Sequence, residues 1–392
     1  MRISTRPFLV LYVVWHPDFA AGASLAETLR EHFRRKLYEN VAGGTGLSVV
    51  FRSSPAPGSP LPLDISLDEA ETTAVVVFAE SNLANDLSWV EYVRAIAEKT
   101  EAAGLGARLF PVALESAGVD LGIQEQALRW DKWVGKDLEL RRRLISELSY
   151  EFSRMLRHYL EHLRHPSEDG EALEKYLKKV QVFLSHSKHD DDGERIANMI
   201  RDRLHAGHGL SSFFDIHDIP SGLRFQKVLL QQVRLSAVVA IHTDSYSSRE
   251  WCRREVIEAK RWNVPLVVAN CIADQDERGF PYLGNVPIVR VDPSGSERVD
   301  VVVGRLLDEV LKDFLWRCRV ELVQVKEPAI VFVPRPPELI LLAGLPPRTD
   351  VPEPTVIYPD PPLSAEEERL FEEVAPWVRL RSFTEWLAGV TP

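Results

Sequence analysis

The run Ala237-Val-Val-Ala-Ile241 is followed almost at once by Thr243-Asp-Ser-Tyr-Ser-Ser-Arg-Glu-Trp-Cys-Arg-Arg-Glu255. The first run is short, apolar and rich in valine, which is typical of a strand buried on both faces of a sheet. The second run is polar and then takes up helical spacing, so it predicts a loop that enters a helix. A buried strand leading into a helix is the repeating unit of α/β folds with a parallel sheet.

The same alternation continues on both sides of this stretch. Strands are predicted at 180–185, 210–215, 237–241, 264–269 and 286–291. Helices are predicted after the acidic run Asp190-Asp-Asp-Gly-Glu194, through Phe225 to Val233, over about 248–262, and from Val302 to Phe314. The sequence therefore predicts an α/β fold for residues 180–316: a flavodoxin-like, doubly wound parallel five-stranded sheet.

Residues 1–163 repeat this order of elements. Strands are predicted at 8–15, 47–51, 73–78 and 108–114, and helices at 24–38, 88–99 and 138–163. A serine and a tryptophan come after the third strand in both regions, as Ser81 and Trp89 here and as Ser245 and Trp251 there. The repeat indicates a second, similar α/β domain. Two unrelated domains that share a common fold are the alternative.

Two segments complete the predicted organisation. The polar stretch His165-Pro-Ser-Glu-Asp-Gly170 predicts a linker over 164–179. Residues 317–392 are dense in proline and predict a Pro-rich tail of extended segments rather than a core. Ser364 followed by Glu367 has capping-box spacing and predicts a short C-terminal helix. The tail could dock on the protein or on a partner, or form a partly ordered terminus.

Composition and charge narrow the classes of protein. A net charge of −11 argues against a chain that coats nucleic acid, so no direct nucleic-acid partner is expected. The three cysteines lack CxxC spacing, which favours a reducing, cytoplasmic location over a disulfide framework. The apolar run 8–15 ends in His16-Pro-Asp18 and predicts a strand rather than a signal peptide. No stretch reaches the roughly 18 apolar residues that span a membrane, so no membrane partner is expected.

Glu255 is the candidate for a chemical role. It lies beyond the carboxyl end of a predicted strand, where open parallel sheets bind ligands. Ser247 and Glu250 have capping-box spacing, which gives Glu250 a structural role. Glu255 instead lies one turn beyond Trp251, and a carboxylate beside an aromatic wall can be held in a rigid pose. The alternative is a surface glutamate paired with Arg249, Arg253 or Lys260.

Three motifs in order give residues 180–316 a family resemblance. They are Val182-Phe-Leu-Ser-His-Ser187, Phe213-Phe-Asp-Ile-His-Asp-Ile-Pro-Ser-Gly222 and the stretch from Ser245 to Glu255. The last contains a serine followed by Trp-Cys-x-x-Glu. This region resembles the TIR (Toll/interleukin-1 receptor) domain family, of the bacterial NAD-cleaving type. The first region resembles the family only weakly, as a degenerate second TIR-like domain.

The resemblance implies an activity. Many members of the family hydrolyse or cyclise NAD, and the glutamate of the Trp-Cys-x-x-Glu pattern is their catalytic residue. Glu255 is then the catalytic residue of an NAD+ glycohydrolase or cyclase that gives nicotinamide and ADP-ribose or a cyclic isomer. NAD+ is the substrate, and no cofactor is implied. Nicotinamide leaves as a neutral molecule, so it needs no general acid, and one carboxylate can stabilise an oxocarbenium-like transition state.

Further site residues are implied by the same resemblance. Ser187, Lys188 and His217 would line the nucleotide pocket, with Lys188 near a phosphate and Trp251 beside the site. The alternatives are a helix cap for Ser187, solvation for Lys188, an exposed loop for His217 and core packing for Trp251. Cys252 is predicted to be a buried, small apolar residue.

Two other kinds of site are disfavoured. Asp215, His217 and Asp218 share a loop without further ligands, so no metal is predicted. A phosphoacceptor receiver domain needs acids after its first strand, an aspartate after its third and a lysine after its fifth. Asp190 and Asp244 fit the first two requirements, but Val291-Asp-Pro-Ser-Gly295 contains no lysine.

The N-terminal region departs from the family pattern. Glu91 comes two residues after Trp89 rather than four, which points it to another helix face. The loop 53–60 also lacks the acidic element. These differences predict a catalytically silent copy, used for docking, sensing or regulation. The alternative is a second active site.

The resemblance further implies self-association through TIR domains as the trigger, with a neighbour's loop, here about 215–222, completing the site. Antiphage defence is the expected setting, and a partner protein or a small nucleotide signal is a candidate regulator. Two other functions remain open: a non-enzymatic TIR scaffold or adaptor, and a nucleotide-signal sensor that acts through the N-terminal domain.

Overall fold

The computed structural model describes residues 6–38, 46–165, 180–207, 211–213, 230, 233–234, 236–295, 297–323 and 327–389. The chain forms two compact units, Met1–Glu168 and Asp169–Pro392. None of the helices in these ranges combines the length and the apolar character needed to cross a bilayer.

The N-terminal unit is built on a four-stranded parallel sheet with strand order β2-β1-β3-β4. The strands are β1 (Leu9–Val14), β2 (Ser48–Arg52), β3 (Thr72–Ala79) and β4 (Ala107–Ala113). The helices are α1 (Gly22–Arg30), α2 (Ser81–Asn85), α3 (Leu87–Ala102) and α4 (Asp137–Arg164). The central strands β1 and β3 are buried at every residue, as expected for strands covered on both faces. The expected similar α/β domain is confirmed.

The second unit contains a five-stranded parallel sheet with strand order β6-β5-β7-β8-β9. The strands are β5 (Gln181–His186), β6 (Ser211–Phe213), β7 (Ala237–His242), β8 (Leu266–Asn270) and β9 (Ile288–Arg290). Within the described ranges, the helices that accompany it are α5 (Asp191–Gly207), α6 (Glu250–Arg261) and α7 (Val299–Val323). This is the predicted flavodoxin-like order, in which the direction of winding reverses between β5 and β7. The carboxyl ends of these two strands therefore flank the crevice where such sheets bind ligands.

Residues 327–389 are folded, which corrects the expectation of a Pro-rich, extended tail. They form a three-stranded parallel sheet with order β10-β11-β12. The strands are β10 (Ile330–Phe332), β11 (Thr355–Tyr358) and β12 (Arg379–Ser382), and the helices are α8 (Ala365–Val374) and α9 (Phe383–Gly389). The prolines lie between these elements, where they terminate strands and helices without disrupting a ladder. The predicted capping box of Ser364 and Glu367 is confirmed at the start of α8.

The C-terminal segment has its own apolar core and packs against α7. One cluster contains Val333, Val356, Tyr358 and Ala375. A second, aromatic cluster joins Trp316 of α7 to Phe383 and Trp386 of α9, with the Trp316 and Phe383 rings 5.4 Å apart. Because α7 continues past Trp316 to Val323, its last turns belong to this second cluster.

A buried ion pair also ties the C-terminal segment to α6. Lys260 is 5% exposed, and its Nζ donates to both carboxylate oxygens of Glu338 at 2.8 and 3.0 Å. The same ammonium donates to the carbonyl of Gly284 at 2.6 Å. Arg335 donates to the carbonyl of Val264 at 3.0 Å. The helix that carries Glu255 is therefore fixed at its carboxyl end by residues from beyond the five-stranded sheet.

Candidate active site

Glu255 lies on α6 and is 7% exposed. The hydroxyl of Ser185, near the carboxyl end of β5, donates to its Oε2 at 2.5 Å. On the same helix Cys252 and Val256 belong to the apolar core between helix and sheet. The alternative of a glutamate on the helix surface is therefore wrong, and Glu255 is held at the carboxyl end of the sheet.

Two neighbours of this carboxylate, Tyr246 and Cys252, stay neutral. Tyr246 is fully buried, with its hydroxyl 2.6 Å from the Ser185 hydroxyl. Burial, and then the neighbouring Cys252 and Glu255, raise the pKa of Tyr246 well above its usual value. Burial, followed by Glu255, also raises the pKa of Cys252, which is 3% exposed as its predicted apolar role requires.

A second polar cluster joins the ends of β5 and β7. Asp190 accepts from Thr243 Oγ1 at 2.6 Å and from the backbone N–H of Gly193 at 2.6 Å, at the start of α5. The hydroxyl of Ser245 lies 2.5 Å from Asp190 Oδ2 and 2.7 Å from Ser187 Oγ. Asp190 thus caps the helix, and Ser187, 1% exposed, is held inside the cluster.

The capping box predicted for Ser247 and Glu250 is wrong. Ser247 is fully buried and donates to Asp276 Oδ2 at 2.9 Å, while Glu250 pairs with Arg254 at 3.7 Å. Residue 249 precedes α6 without a side-chain cap. A hydrogen bond to a residue much later in the chain has replaced the local one, which sequence spacing alone does not reveal.

His242 completes the Ser247 cluster but does not form a catalytic triad with it. Its Nε2 lies 3.0 Å from Ser247 Oγ and 2.9 Å from Asp276 Oδ2. A triad requires the serine and the carboxylate on opposite ring nitrogens. The arrangement instead fixes the loop between β7 and α6, which also carries Tyr246.

The other residues that the family resemblance implies to bind substrate do not share one environment. Lys188 is exposed just after β5, beside the Ser187 cluster. Trp251 is half-buried against the core, and the guanidinium of Arg254 lies 4.5 Å from its ring centre. His217, the loop 215–222 and the other two residues of the disfavoured metal site lie outside the described residues. The binding roles of Ser187, Lys188, His217 and Trp251 stay predictions.

Sequence reasoning did not identify Ser185, Tyr246 or Asp190 as site residues. Ser185 and Tyr246 stand within quoted motifs, but nothing local shows that they meet. A polar residue at the end of an otherwise apolar strand is a usable signal, since the carboxyl edge of a parallel sheet gathers ligand-binding groups. Ser185 meets that description.

The carboxyl edge of the N-terminal sheet has no counterpart of the buried Glu255 at the position of Glu91. Glu91 is exposed on α3, whereas Trp89 is 2% exposed. Asp86 caps this helix by accepting from the backbone N–H groups of residues 88 and 89. His16, after β1, lies with its ring 5.1 Å from that of Trp89. This edge therefore does not bury Glu91 as the second unit buries Glu255.

Of the comparisons with known proteins, the family match bears on this description. A comparison with curated proteins finds no match. Among solved structures, the C-terminal domain of glucosamine-fructose-6-phosphate aminotransferase from Francisella tularensis is similar at 10% identity, covering 80% of this chain and 84% of that chain. Its TM-score of 0.19 is too low to bear on the fold. Residues 182–298 match the TIR domain family. This match, together with the strand order of the five-stranded sheet, identifies that part of the chain as a TIR domain.

Proposed function

We propose that the chain is an NAD+ glycohydrolase or cyclase with Glu255 as its catalytic carboxylate. The observation that carries the proposal is the buried Glu255, held 2.5 Å from Ser185 Oγ at the carboxyl end of β5. This position flanks the crevice where flavodoxin-like sheets bind ligands. The TIR family includes NAD+ hydrolases, which supports the assignment.

The chemistry suits a lone carboxylate in a poorly solvated site. The bond between C1′ of the ribose and the pyridinium nitrogen breaks, and its electron pair neutralises the nicotinamide ring. The ribose becomes oxocarbenium-like, and the negative charge of Glu255 stabilises it. Charges attract more strongly where the surroundings are of low dielectric, such as the neutral Tyr246 and Cys252 provide. Water then adds at C1′ and loses a proton to give ADP-ribose, or an adenine nitrogen adds to give a cyclic isomer.

The test is release of nicotinamide from NAD+ by the full chain, followed by chromatography over a range of protein concentrations. Glu255→Gln should lower release by about a hundredfold or more, because it removes the charge that faces the cation. Glu250→Gln is the matched control: it is exposed on the same helix and should leave release unchanged. Release that survives Glu255→Gln would remove the catalytic assignment. No release at any concentration, with or without a crowding agent, would favour the non-enzymatic scaffold.

The setting of this activity is a further part of the proposal. TIR domains commonly self-associate, so activity is expected to rise more steeply than protein concentration. The N-terminal unit is proposed to be silent, in keeping with its exposed Glu91. It would serve for docking, or for sensing a partner protein or a nucleotide signal. A role in antiphage defence rests on family resemblance, and a cytoplasmic location rests on the three cysteines without CxxC spacing.

A further inference from the structure

We propose that Tyr246 and Ser185 form a hydrogen-bonded relay that positions the Glu255 carboxylate for bond cleavage. The inference rests on the proposed function and deepens it, by assigning two positioning residues to the same site. Neither residue is proposed to touch the reacting atoms.

The direction of the relay is set by the chemistry of its members. An ionised carboxylate only accepts hydrogen bonds, so Ser185 must use its one proton to donate to Glu255 Oε2, at 2.5 Å. The same Ser185 oxygen lies 2.6 Å from the Tyr246 hydroxyl, which must therefore donate to it. Burial keeps Tyr246 protonated by raising its pKa, so the donor is always present. The protons point from Tyr246 to Ser185 to Glu255.

Each member of the relay comes from a different element. Ser185 lies near the end of β5, Tyr246 lies in the loop after β7, and Glu255 is on α6. Tyr246 is itself fixed: its backbone N–H donates to the carbonyl of Thr243 at 3.0 Å, and its ring packs edge-on against His242 at 5.8 Å. The relay therefore fixes the position of the Glu255 carboxylate relative to both strands that flank the crevice.

If position 255 were apolar, packing at this place would not require two buried hydroxyls. Phenylalanine and alanine at positions 246 and 185 would fill most of the same space without any polar atom to satisfy. Each hydrogen bond from a fixed donor narrows the range of rotamers that a glutamate side chain samples. Misplacement of a catalytic group by about 1 Å costs on the order of a hundredfold in rate. The relay is thus better explained by placement of Glu255 than by packing.

Kinetics with NAD+ and the full chain test the relay. Tyr246→Phe and Ser185→Ala should each lower kcat by roughly 10- to 100-fold with KM little changed. Because Tyr246 acts through Ser185, the double variant should be no slower than Ser185→Ala. Ser185→Thr keeps the hydroxyl and should restore most of kcat. The control is Tyr12→Phe in the N-terminal unit, another fully buried tyrosine, whose hydroxyl donates to Glu69 at 2.6 Å. It should leave kcat unchanged.

An infrared measurement separates the relay from the proposed function. The difference spectrum between each protein and its Glu255→Gln counterpart isolates the carboxylate band of Glu255, with no need for turnover. The band should shift in Tyr246→Phe and in Ser185→Ala, and Tyr246→Phe, being nearly isosteric, carries the test if Ser185→Ala does not fold. A carboxylate band that does not shift in Tyr246→Phe would overturn the relay. So would a double variant whose loss of kcat is the sum, in free energy, of the losses in the two single variants. A wild type that never cleaves NAD+ would overturn the proposed function, while shifted bands would still support the relay.

Discussion

At the scale of the residue, carboxylates at the end of the five-stranded sheet are held by donors of different kinds. Glu255 accepts from the hydroxyl of Ser185, and Asp190 accepts from the hydroxyl of Thr243 and from a backbone N–H. Asp244, which follows Thr243 in the chain, accepts from the backbone N–H groups of residues 273, 274 and 275. Asp190 and Asp244 therefore fix loops on the crevice side of the sheet, whereas the Glu255 contact joins α6 to β5.

Asp244 makes the protein's stability depend on pH in a defined direction. Burial alone would raise the pKa of Asp244, but the three backbone donors outweigh it and hold the pKa below its ordinary value of 3.8. Because the folded pKa is depressed, the stabilisation is present above 3.8 and is lost as pH falls through the folded value. Asp244→Asn should therefore lower Tm near neutral pH, and the difference from wild type should shrink in acid.

Calorimetric scans at about pH 6 and about pH 3 measure this effect. Asp274→Asn, at an exposed position in the loop that Asp244 holds, is the control and should leave Tm nearly unchanged at both values. A difference in Tm between wild type and Asp244→Asn that stays constant with pH would contradict the assignment.

At the scale of the element, α6 carries three buried charged residues: Glu255, Lys260, and Glu258, which pairs with Arg234. Glu255 faces the sheet, and Lys260 binds Glu338 of the C-terminal segment. The helix is therefore fixed by separate polar contacts at three places along its length. Loss of any of these contacts is expected to lower the stability of the protein. Loss of the Glu255 contact is expected to lower its activity as well.

Loss of the Lys260 partner is expected to be costly. Glu338→Ala would leave an ammonium whose side chain is 3% exposed with only the Gly284 carbonyl among its present acceptors, and should destabilise the protein by about 3 kcal/mol. Adding Lys260→Met removes the stranded charge, so the double variant should be more stable than Glu338→Ala. Urea unfolding measures both.

The control for that pair is Glu353→Ala. Glu353 and Arg379 form an ion pair in the same segment, but their side chains are 63% and 67% exposed. Its loss should cost at most about 1 kcal/mol. Equal effects of Glu338→Ala and Glu353→Ala would show that the buried pair does not anchor α6.

The sequence predicts the elements whose signals are local. The strands β5 and β7 are buried apolar runs, and the cap of Ser364 on α8 is formed by a residue three positions on. It does not predict β10 and β11, because strands of three or four residues between prolines become recognisable only when paired. Ser247 shows the opposite error, since a correct local pattern was overridden by Asp276.

The candidate site is predictable to a similar degree. A family motif indicates Glu255, and its spacing from Trp251 distinguishes it from Glu91. The partners that bury it come from elsewhere: Ser185 lies 70 residues earlier in the chain. Such contacts depend on the register of parallel strands, which no short window of sequence contains.

At the scale of the whole molecule, the second unit consists of the five-stranded α/β sheet with its helices and of the folded C-terminal segment 327–389. The chain continues from α7 into the C-terminal segment, and Trp316 of α7 packs with Phe383 and Trp386 there. The folded core of this unit therefore extends well beyond the residues that match the TIR family.

Removal of residues 324–392 tests that continuity. Trp316 is 7% exposed in the full chain and would lose its aromatic neighbours, so the truncated chain should be less stable by roughly 3 kcal/mol or more. Urea unfolding followed by circular dichroism measures this, because the deletion itself removes Trp377 and Trp386 and so changes the fluorescence; an earlier midpoint is expected. A truncated chain that unfolds at the same urea concentration as the full chain would show that the segment is an independent appendage.

The extent of α7 bears on how such a unit can pass between genes. The family match ends at residue 298, one position before α7 begins, yet Val302, Leu306 and Leu311 of this helix are fully buried. A recombination event that transferred residues 182–298 alone would leave behind the helix that supplies these side chains. We therefore expect fusions and chimaeras joined at residues 180 and 389 to keep this unit folded, and grafts of residues 182–298 alone to fail to fold.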